Sequence, residues 1–322
     1  MMRTLTPVLA LILAGACAQA SAQPYPAKPI RLVVGFAPGG AADYVARAIG
    51  ESLGRMLGQG IVIENRAGAG SSIAADYVAK SAPDGYTMLI ASPSSISVNP
   101  ALNPKIGYSP RDLAPITKVS TSPLLVTVNP GIGVASIREL IAAAKQTPGR
   151  LNFASSGNGS APHLAGVLFT RLAGIDMVHV PFKGGGPAVQ SVLAGDTQVT
   201  FATPPSVLPL VQAGRLRALA VTSRMRTPLV PDLPGMEEAG LPDYEIAFWY
   251  GFFVPSGTKP EIVKKLFDAT IGALQQPEVK QAFAREGTET AASRSPEEFA
   301  AFLAEDAKFW VRLVKESGAK LD

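Results

Sequence analysis

The chain has 322 residues, 47% of them hydrophobic, which is enough to bury a sizeable core and at this length implies two domains rather than one. Its 29 Lys and Arg against 25 Asp and Glu leave a net charge of +4 with no Lys/Arg run, which argues against nucleic acid as a partner, since phosphate binding needs a concentrated basic face. The single cysteine, Cys17, and two histidines, His163 and His179, in no HxxxH or HExxH array, argue against a zinc or iron site and against a disulfide framework.

The chain opens on a secretory signal, residues 1–22. Arg3 supplies a positive n-region, Leu5 to Ala14 is apolar, and Ala20-Ser21-Ala22 fits a small-residue cleavage site. That apolar run is too short to span a bilayer, and no later run approaches the roughly 20 residues a span requires. The expected mature chain is exported, starts near Gln23 and has no cysteine. A lipoprotein would need Cys17 as its first mature residue, but Ala14 stands where a lipobox usually has Leu.

A strand (RLVVGF) then runs into the Gly-rich turn Phe36-Ala37-Pro38-Gly39-Gly40 and a helix from about Ala42 to Leu57, with Val45, Ile49, Leu53, Met56 and Leu57 on one face. A helix N-terminus has unpaired N–H groups and a partial positive charge, and glycines let an anion come close, so this turn reads either as an anion cradle or as an ordinary βα turn. No Lys follows the glycines, which excludes a phosphate-binding NTPase loop. Strand Ile61–Asn65, the loop RAGAGSS, a helix over Ala74–Lys80, the turn Pro83-Asp84-Gly85 and strand Thr87–Ser92 complete a βαβαβ unit, the mark of a parallel sheet. Gly68-Ala69-Gly70 approaches a dinucleotide fingerprint, but Ile73 occupies the third glycine position.

The segment Ile116–Pro130 is long, apolar and β-prone, and its internal Pro argues against one continuous central strand. A second unit follows: helix Ser136–Lys145, strand Leu151–Ser156, the loop GNGSAPH, a helix from about His163 to Leu172, strand Met177–Phe182, the loop KGGGP, helix Ala188–Ala194, strand Thr197–Thr203 and an outgoing strand Arg217–Ser223. The last third reads as mostly helical. Glu261–Leu274 carries an apolar stripe, and Ser295-Pro296-Glu297-Glu298 starts a helix whose apolar face runs from Phe299 to Val314 and which Gly318 ends.

Ligands of open α/β sheets bind beyond the carboxyl ends of the strands. Here those ends carry FAPGG, SPSS, ASSGNGS, FKGGG and ATPPS, rich in Gly, Ser, Thr and Pro and nearly bare of acids and histidines. With no GxSxG elbow, no nucleophile–base pair and no metal set, this pattern describes a binding cleft rather than a reaction centre, so no catalytic residue and no cofactor is expected.

In order and spacing, the runs YPAKPIRLVVGFAPGGAAD, GQGIVIENRAGAGSSIAADYVAKSAPDGYTMLIAS, ASSGNGSAPHLAGVLF, HVPFKGGGPAVQSVLAGD, GRLRALAVTS and FWVRLVKESG resemble the tripartite tricarboxylate transporter receptors, the Bug-type extracytoplasmic solute receptors. The likeness covers nearly the whole mature chain. It departs at Gly35-Phe36 before Ala37-Pro38, at Gly58-Gln59-Gly60 and in the 91–97 loop. The resemblance implies a type II periplasmic-binding-protein fold, with two α/β lobes joined by two extended segments and closing on one small ligand, usually a carboxylate. Lobe 1 is expected to hold residues 23–122 and 224–322, and lobe 2 residues 123–223.

One carboxylate is expected on the backbone N–H groups of Phe36 to Gly40, with Phe36 against the ligand's apolar middle, and the other polar end at Ser155, Ser156, Asn158, Gly159 and Ser160. Pro38, Ser92, Ser94, His163 and Thr203 are further candidates. Hydrogen bonds to a charged group are worth about 1.5–3 kcal/mol each, so four or five suffice for micromolar affinity after ordering costs. Neutral donors suit release better than fixed cations. Asp43 either caps its helix or faces the ligand, attracting an amine or holding bridging waters, and His163 caps a helix, acts through a water or touches the ligand directly. The expected protein is a non-catalytic periplasmic monomer that hands a di- or tricarboxylate, aromatic acid or acidic amino acid to a membrane permease. A sensor serving a signalling protein and an exported enzyme are the rival readings.

Overall fold

The computed structural model of the protein describes residues 24–317. The signal segment with its cleavage site, Cys17 and the Gly318 helix stop lie outside the described residues. Among the described residues, no helix is long and apolar enough to cross a membrane.

Strands β1 (Ile30–Val34), β2 (Ile61–Asn65) and β3 (Thr87–Ala91) alternate with helices α1 (Ala41–Leu57) and α2 (Ser72–Ala79). β1 pairs parallel with both neighbours, Leu32 lying opposite Ile63 on one side and Met88 on the other. Strands covered on both faces read as continuous apolar runs, and β3 is buried throughout. α1 stops at Gly58, whose φ of 67° is the left-handed turn that lets its N–H return to Arg55 O. Val45, Ile49 and Leu53 of its stripe are fully buried and Leu57 is 6% exposed, whereas Met56 is 42% exposed. After β3 the chain makes a wide turn over Ser94–Val98 and a short helix α3 (Asn99–Leu102).

β4 (Leu113–Pro123) runs almost straight into β5 (Leu125–Val128), with only Leu124 between them, yet the two belong to different sheets. The second sheet adds α4 (Ile137–Gln146), β6 (Asn152–Ser155), α5 (Ala161–Ala173), β7 (Val178–Pro181), α6 (Gly185–Ala194), β8 (Val199–Ala202), α7 (Pro204–Gln212) and β9 (Arg217–Val221). Ser136 caps α4, its hydroxyl accepting from Glu139 N–H at 3.2 Å. α6 begins at Gly185, inside the expected KGGGP loop, because Gly184, at a positive φ of 148° that glycine tolerates, serves as its N-cap. α7 starts on Pro204 and Pro205, in a stretch for which the sequence reading named no element, proline being well suited to a first helical turn.

The chain then returns along β9, with Val221 N–H donating to Pro234 O, through α8 (Met236–Ala239), and enters β10 (Ala247–Pro255). Helices α9 (Pro260–Gln275) and α10 (Pro277–Arg285), strand β11 (Glu289–Thr290) and helix α11 (Pro296–Ser317) finish it. The orders are β11-β4-β10-β3-β1-β2 and β7-β6-β8-β5-β9. In each sheet a strand arriving from the other lobe, β10 or β5, lies antiparallel beside the third strand of the local βαβ set. This is the type II periplasmic-binding-protein fold.

Candidate ligand-binding site

A small cavity of about 30 Å³ lies between the strand carboxyl ends of the two lobes. The first lobe contributes Phe36 and Gly40 before α1, Ala41 and Ala42 in its first turn, and Ser94. The second contributes Ser156 just after β6, Pro162 at the start of α5, Gly185 and Ala188 in α6, Thr200 to Ala202 at the end of β8, and Thr203 and Ser206 at the start of α7. Phe248 and Tyr250 of β10 close one wall. None of these side chains is charged. Among the described residues, no group of three or more His, Cys, Asp or Glu is gathered to hold a metal ion.

Four helix N-termini therefore converge on a neutral space. Those of α1, α6 and α7 carry no side-chain cap, while Ser160 caps α5 by accepting from His163 N–H at 3.2 Å. α7 opens on two prolines and brings only hydroxyls and its dipole. The first intrahelical bonds are Tyr44 N–H to Gly40 O in α1 and Ala188 N–H to Gly184 O in α6. The amides of Ala42, Gly185 and Gly186 precede these bonds and donate to no acceptor among the described residues. Uncompensated amides at the positive ends of dipoles make a site for an anion.

The lobes meet around this cavity. Ala37 N–H donates to Lys183 O at 3.1 Å, Ala41 N–H to Ser206 Oγ at 3.2 Å and Ala161 N–H to Ser94 Oγ at 3.0 Å. In the expected cradle the Ala37 amide is thus engaged across the cleft, Pro38 has no N–H, and Gly39 N–H donates to Asp43 Oδ2 at 3.2 Å. Asp43 is 5% exposed and also accepts from Arg47 Nε at 3.0 Å and Asn65 Nδ2 at 3.0 Å. Asn65 Nδ2 donates in addition to Phe36 O at 3.0 Å. Burial pushes the Asp43 carboxyl up, but the bonds from Arg47, Gly39 and Asn65 outweigh it and hold the group below the usual carboxylate range. Asp43 thereby ties down the turn that carries Phe36 and Gly40.

Of the candidates named from the sequence, Phe36, Gly40, Ser94, Ser156 and Thr203 come together on the cavity wall. Pro38, Gly39, Asp43, Ser92, Ser155, Asn158, Gly159, Ser160 and His163 are not on it. Ser155, the last residue of β6, sits one residue from Ser156, but its Oγ lies 2.6 Å from His179 Nε2 and it is not on the wall. His163 turns the same way: its ring stacks on His179 at 3.8 Å between centroids, and its Nδ1 accepts from Gly159 N–H at 3.2 Å. Burial, with the His163 ring as a second cause, lowers His179 to a pKa of about 3. Gly185 and Ser206 lie in the loops FKGGG and ATPPS already singled out as cleft-facing. Phe248 and Tyr250 carried no such signal, because they sit inside a strand rather than at its end.

The family model described as "Tripartite tricarboxylate transporter family receptor" matches residues 45–319. The chain is 40% identical over 310 residues to Protein BugT of Bordetella pertussis, covering 96% of this chain and 95% of BugT. Its fold is similar to that of a Rhodopseudomonas palustris protein solved with adipate (TM-score 0.88, 35% identity, 92% of this chain and 100% of that one). It is likewise similar to MatC from the same organism with bound malate (TM-score 0.86, 33% identity, 90% and 100%).

Proposed function

Because the chain belongs to the tripartite tricarboxylate transporter receptor family, we propose that it is a periplasmic receptor that captures a small carboxylate and delivers it to a membrane permease. The observation that carries this reading is the convergence of uncapped helix N-termini on a cavity without a charged side chain. One carboxylate rests on the amides of Ala42, Gly185 and Gly186, which belong to opposite lobes. A ligand bridging those amides favours the arrangement in which the lobes meet, a population shift that turns occupancy into shape. Neutral donors also spare the ligand an ion pair whose rupture would slow release. The malate and adipate seen in two relatives support a carboxylate.

A thermal-shift screen tests this on protein unfolded and refolded to strip carried-over ligand, with mono-, di- and tricarboxylates, aromatic acids and amino acids. A ligand at a hundred times its Kd adds about 2.7 kcal/mol, a readily seen rise in Tm. Stabilisation by a carboxylate class is the expected result. Stabilisation by uncharged compounds alone, or by nothing in the panel, overturns it.

A further inference from the structure

Tyr250 carries a hydroxyl that no other described residue engages. The residue lies on β10, the strand that returns to the first lobe, and lines the cavity beside Phe248, the two rings meeting edge-on at 4.9 Å. It is only 7% exposed. A phenol buried to that degree ordinarily finds a partner, because a dry, unpaired hydroxyl loses its hydration for nothing. Tyr250 has none among the described residues. Nor does its oxygen belong to the sealed, unpartnered polar atoms such as Ser92 Oγ and Ser97 Oγ, so it opens on the cavity.

The other hydroxyls around the cavity are mostly engaged. Thr200 Oγ1 donates to Ala154 O, Ser94 Oγ accepts from Ala161 N–H, and Ser206 Oγ accepts from Ala41 N–H while pairing with Thr203 Oγ1. Among the described residues, Ser156 on the second lobe is the only other cavity hydroxyl that resembles Tyr250 in bonding to no group. Burial raises the Tyr250 pKa above its ordinary value, so the phenol stays protonated and able to donate.

We infer that Tyr250 is a specificity-determining residue whose hydroxyl donates to the second polar end of the ligand, so that the site selects short dicarboxylates over monocarboxylates of the same chain length. This rests on the carboxylate-receptor reading and deepens it. The first carboxylate occupies the helix amides, and the apolar rings of Phe36 and Phe248 flank the methylene chain. A monocarboxylate leaves the Tyr250 donor unpaired in a desolvated wall. A site built to hydrogen-bond its ligand rejects, for that reason, the analogue lacking the acceptor. A neutral phenol matches a carboxylate oxygen without bringing a buried cation into the cleft.

Calorimetric titration of refolded wild-type protein and Tyr250→Phe tests the assignment. The probes are succinate, glutarate and adipate beside butyrate, pentanoate and hexanoate. The wild type is expected to prefer one diacid over its matched monoacid by at least about tenfold, and Tyr250→Phe to lose about 10- to 100-fold for that diacid while staying within about threefold for the monoacid. The substitution keeps the ring, so an unchanged ligand-free Tm shows that the wall is intact. Diacid affinity unchanged in Tyr250→Phe overturns the assignment and leaves the receptor reading standing. An equal loss for both acids, or a wild type without preference, also overturns it. A wild type that binds no carboxylate removes the receptor reading and this inference together.

Discussion

Leu124 and Thr222 bind the two inter-lobe crossings to each other: Leu124 N–H donates to Thr222 Oγ1 at 2.7 Å, and Thr222 N–H donates to Leu124 O at 2.9 Å. Leu124 is the single residue between β4 and β5, and Thr222 follows β9. The Thr222 hydroxyl donates onward to Ile246 O at 2.9 Å, immediately before β10. One buried side chain therefore joins both places where the chain changes sheets. Thr222→Val keeps the shape but strands the Leu124 amide in a buried site, and a loss of about 1–3 kcal/mol is expected in urea denaturation. Thr222→Ser keeps the hydroxyl and is expected to recover most of that loss.

A second inter-lobe contact lies away from the cavity, where the 68–71 loop meets the 157–159 loop. Gly70 has φ +57°, and a Cβ there would come within 2.8 Å of Asn158 O and 2.9 Å of Asn99 Nδ2. Asn99 Nδ2 donates to Ala69 O and Gly70 O, holding the first loop in place. Gly70→Ala is therefore expected to prop the lobes apart and weaken ligand binding by about tenfold while costing about 1 kcal/mol of fold stability. Titration calorimetry reads the first effect and small-angle scattering the larger radius. Unchanged affinity would show that the lobes close without this contact.

Asp43 makes a pH-dependent contribution whose sign follows from its lowered pKa. A carboxyl depressed in the folded state stabilises above its unfolded pKa of about 4 and loses that contribution as the pH falls through the lower folded value. Asp43→Asn is expected to be less stable than wild type at pH 7, with the gap narrowing by pH 3. Urea midpoints at the two pH values measure it. A gap independent of pH would mean that Asp43 acts by shape alone.

His179 acts in a different window. Its pKa of about 3 lies below the ordinary 6.5, so the unfolded chain takes up a proton that the fold refuses. Stability from this group is complete above about pH 6.5 and is lost as the pH falls toward 3. His179→Phe retains a ring against His163 and Phe153, and Ser155 Oγ still donates to Gly157 O. The proton uptake on unfolding between pH 4 and 6, taken from the slope of stability against pH, is expected to fall by roughly one proton. An unchanged slope would assign the uptake to other groups.

Much of the architecture was legible in local pattern. Strand β2 was read at Ile61–Asn65 with its ends where the structure has them, the helix read over Ser136–Lys145 is α4 with both ends one residue later, and the internal Pro of Ile116–Pro130 fell at the end of β4, where the chain changes sheets. These signals are written in neighbouring residues, because propensity, capping and turn chemistry act within a few positions of the chain. The Gly- and Ser-rich strand ends likewise fall at the cavity between the lobes, where parallel α/β topology directs ligands.

Which side chains face that cleft was decided only by tertiary structure. Adjacent residues Ser155 and Ser156 part company because Ser155 ends β6 with its hydroxyl against His179 on β7, while Ser156, just beyond the strand, lines the cavity. Asp43 falls to the turn rather than the cavity because Arg47 and Asn65, from another turn of α1 and from β2, converge on it. Phe248 and Tyr250 enter the wall because β10 comes back from the other lobe and lies antiparallel beside β3, a pairing between residues more than 150 apart in sequence. Local chemistry determined the elements of this protein and the ends at which they bind. Long-range packing, which brings distant segments within hydrogen-bond reach, selected the residues that make the site.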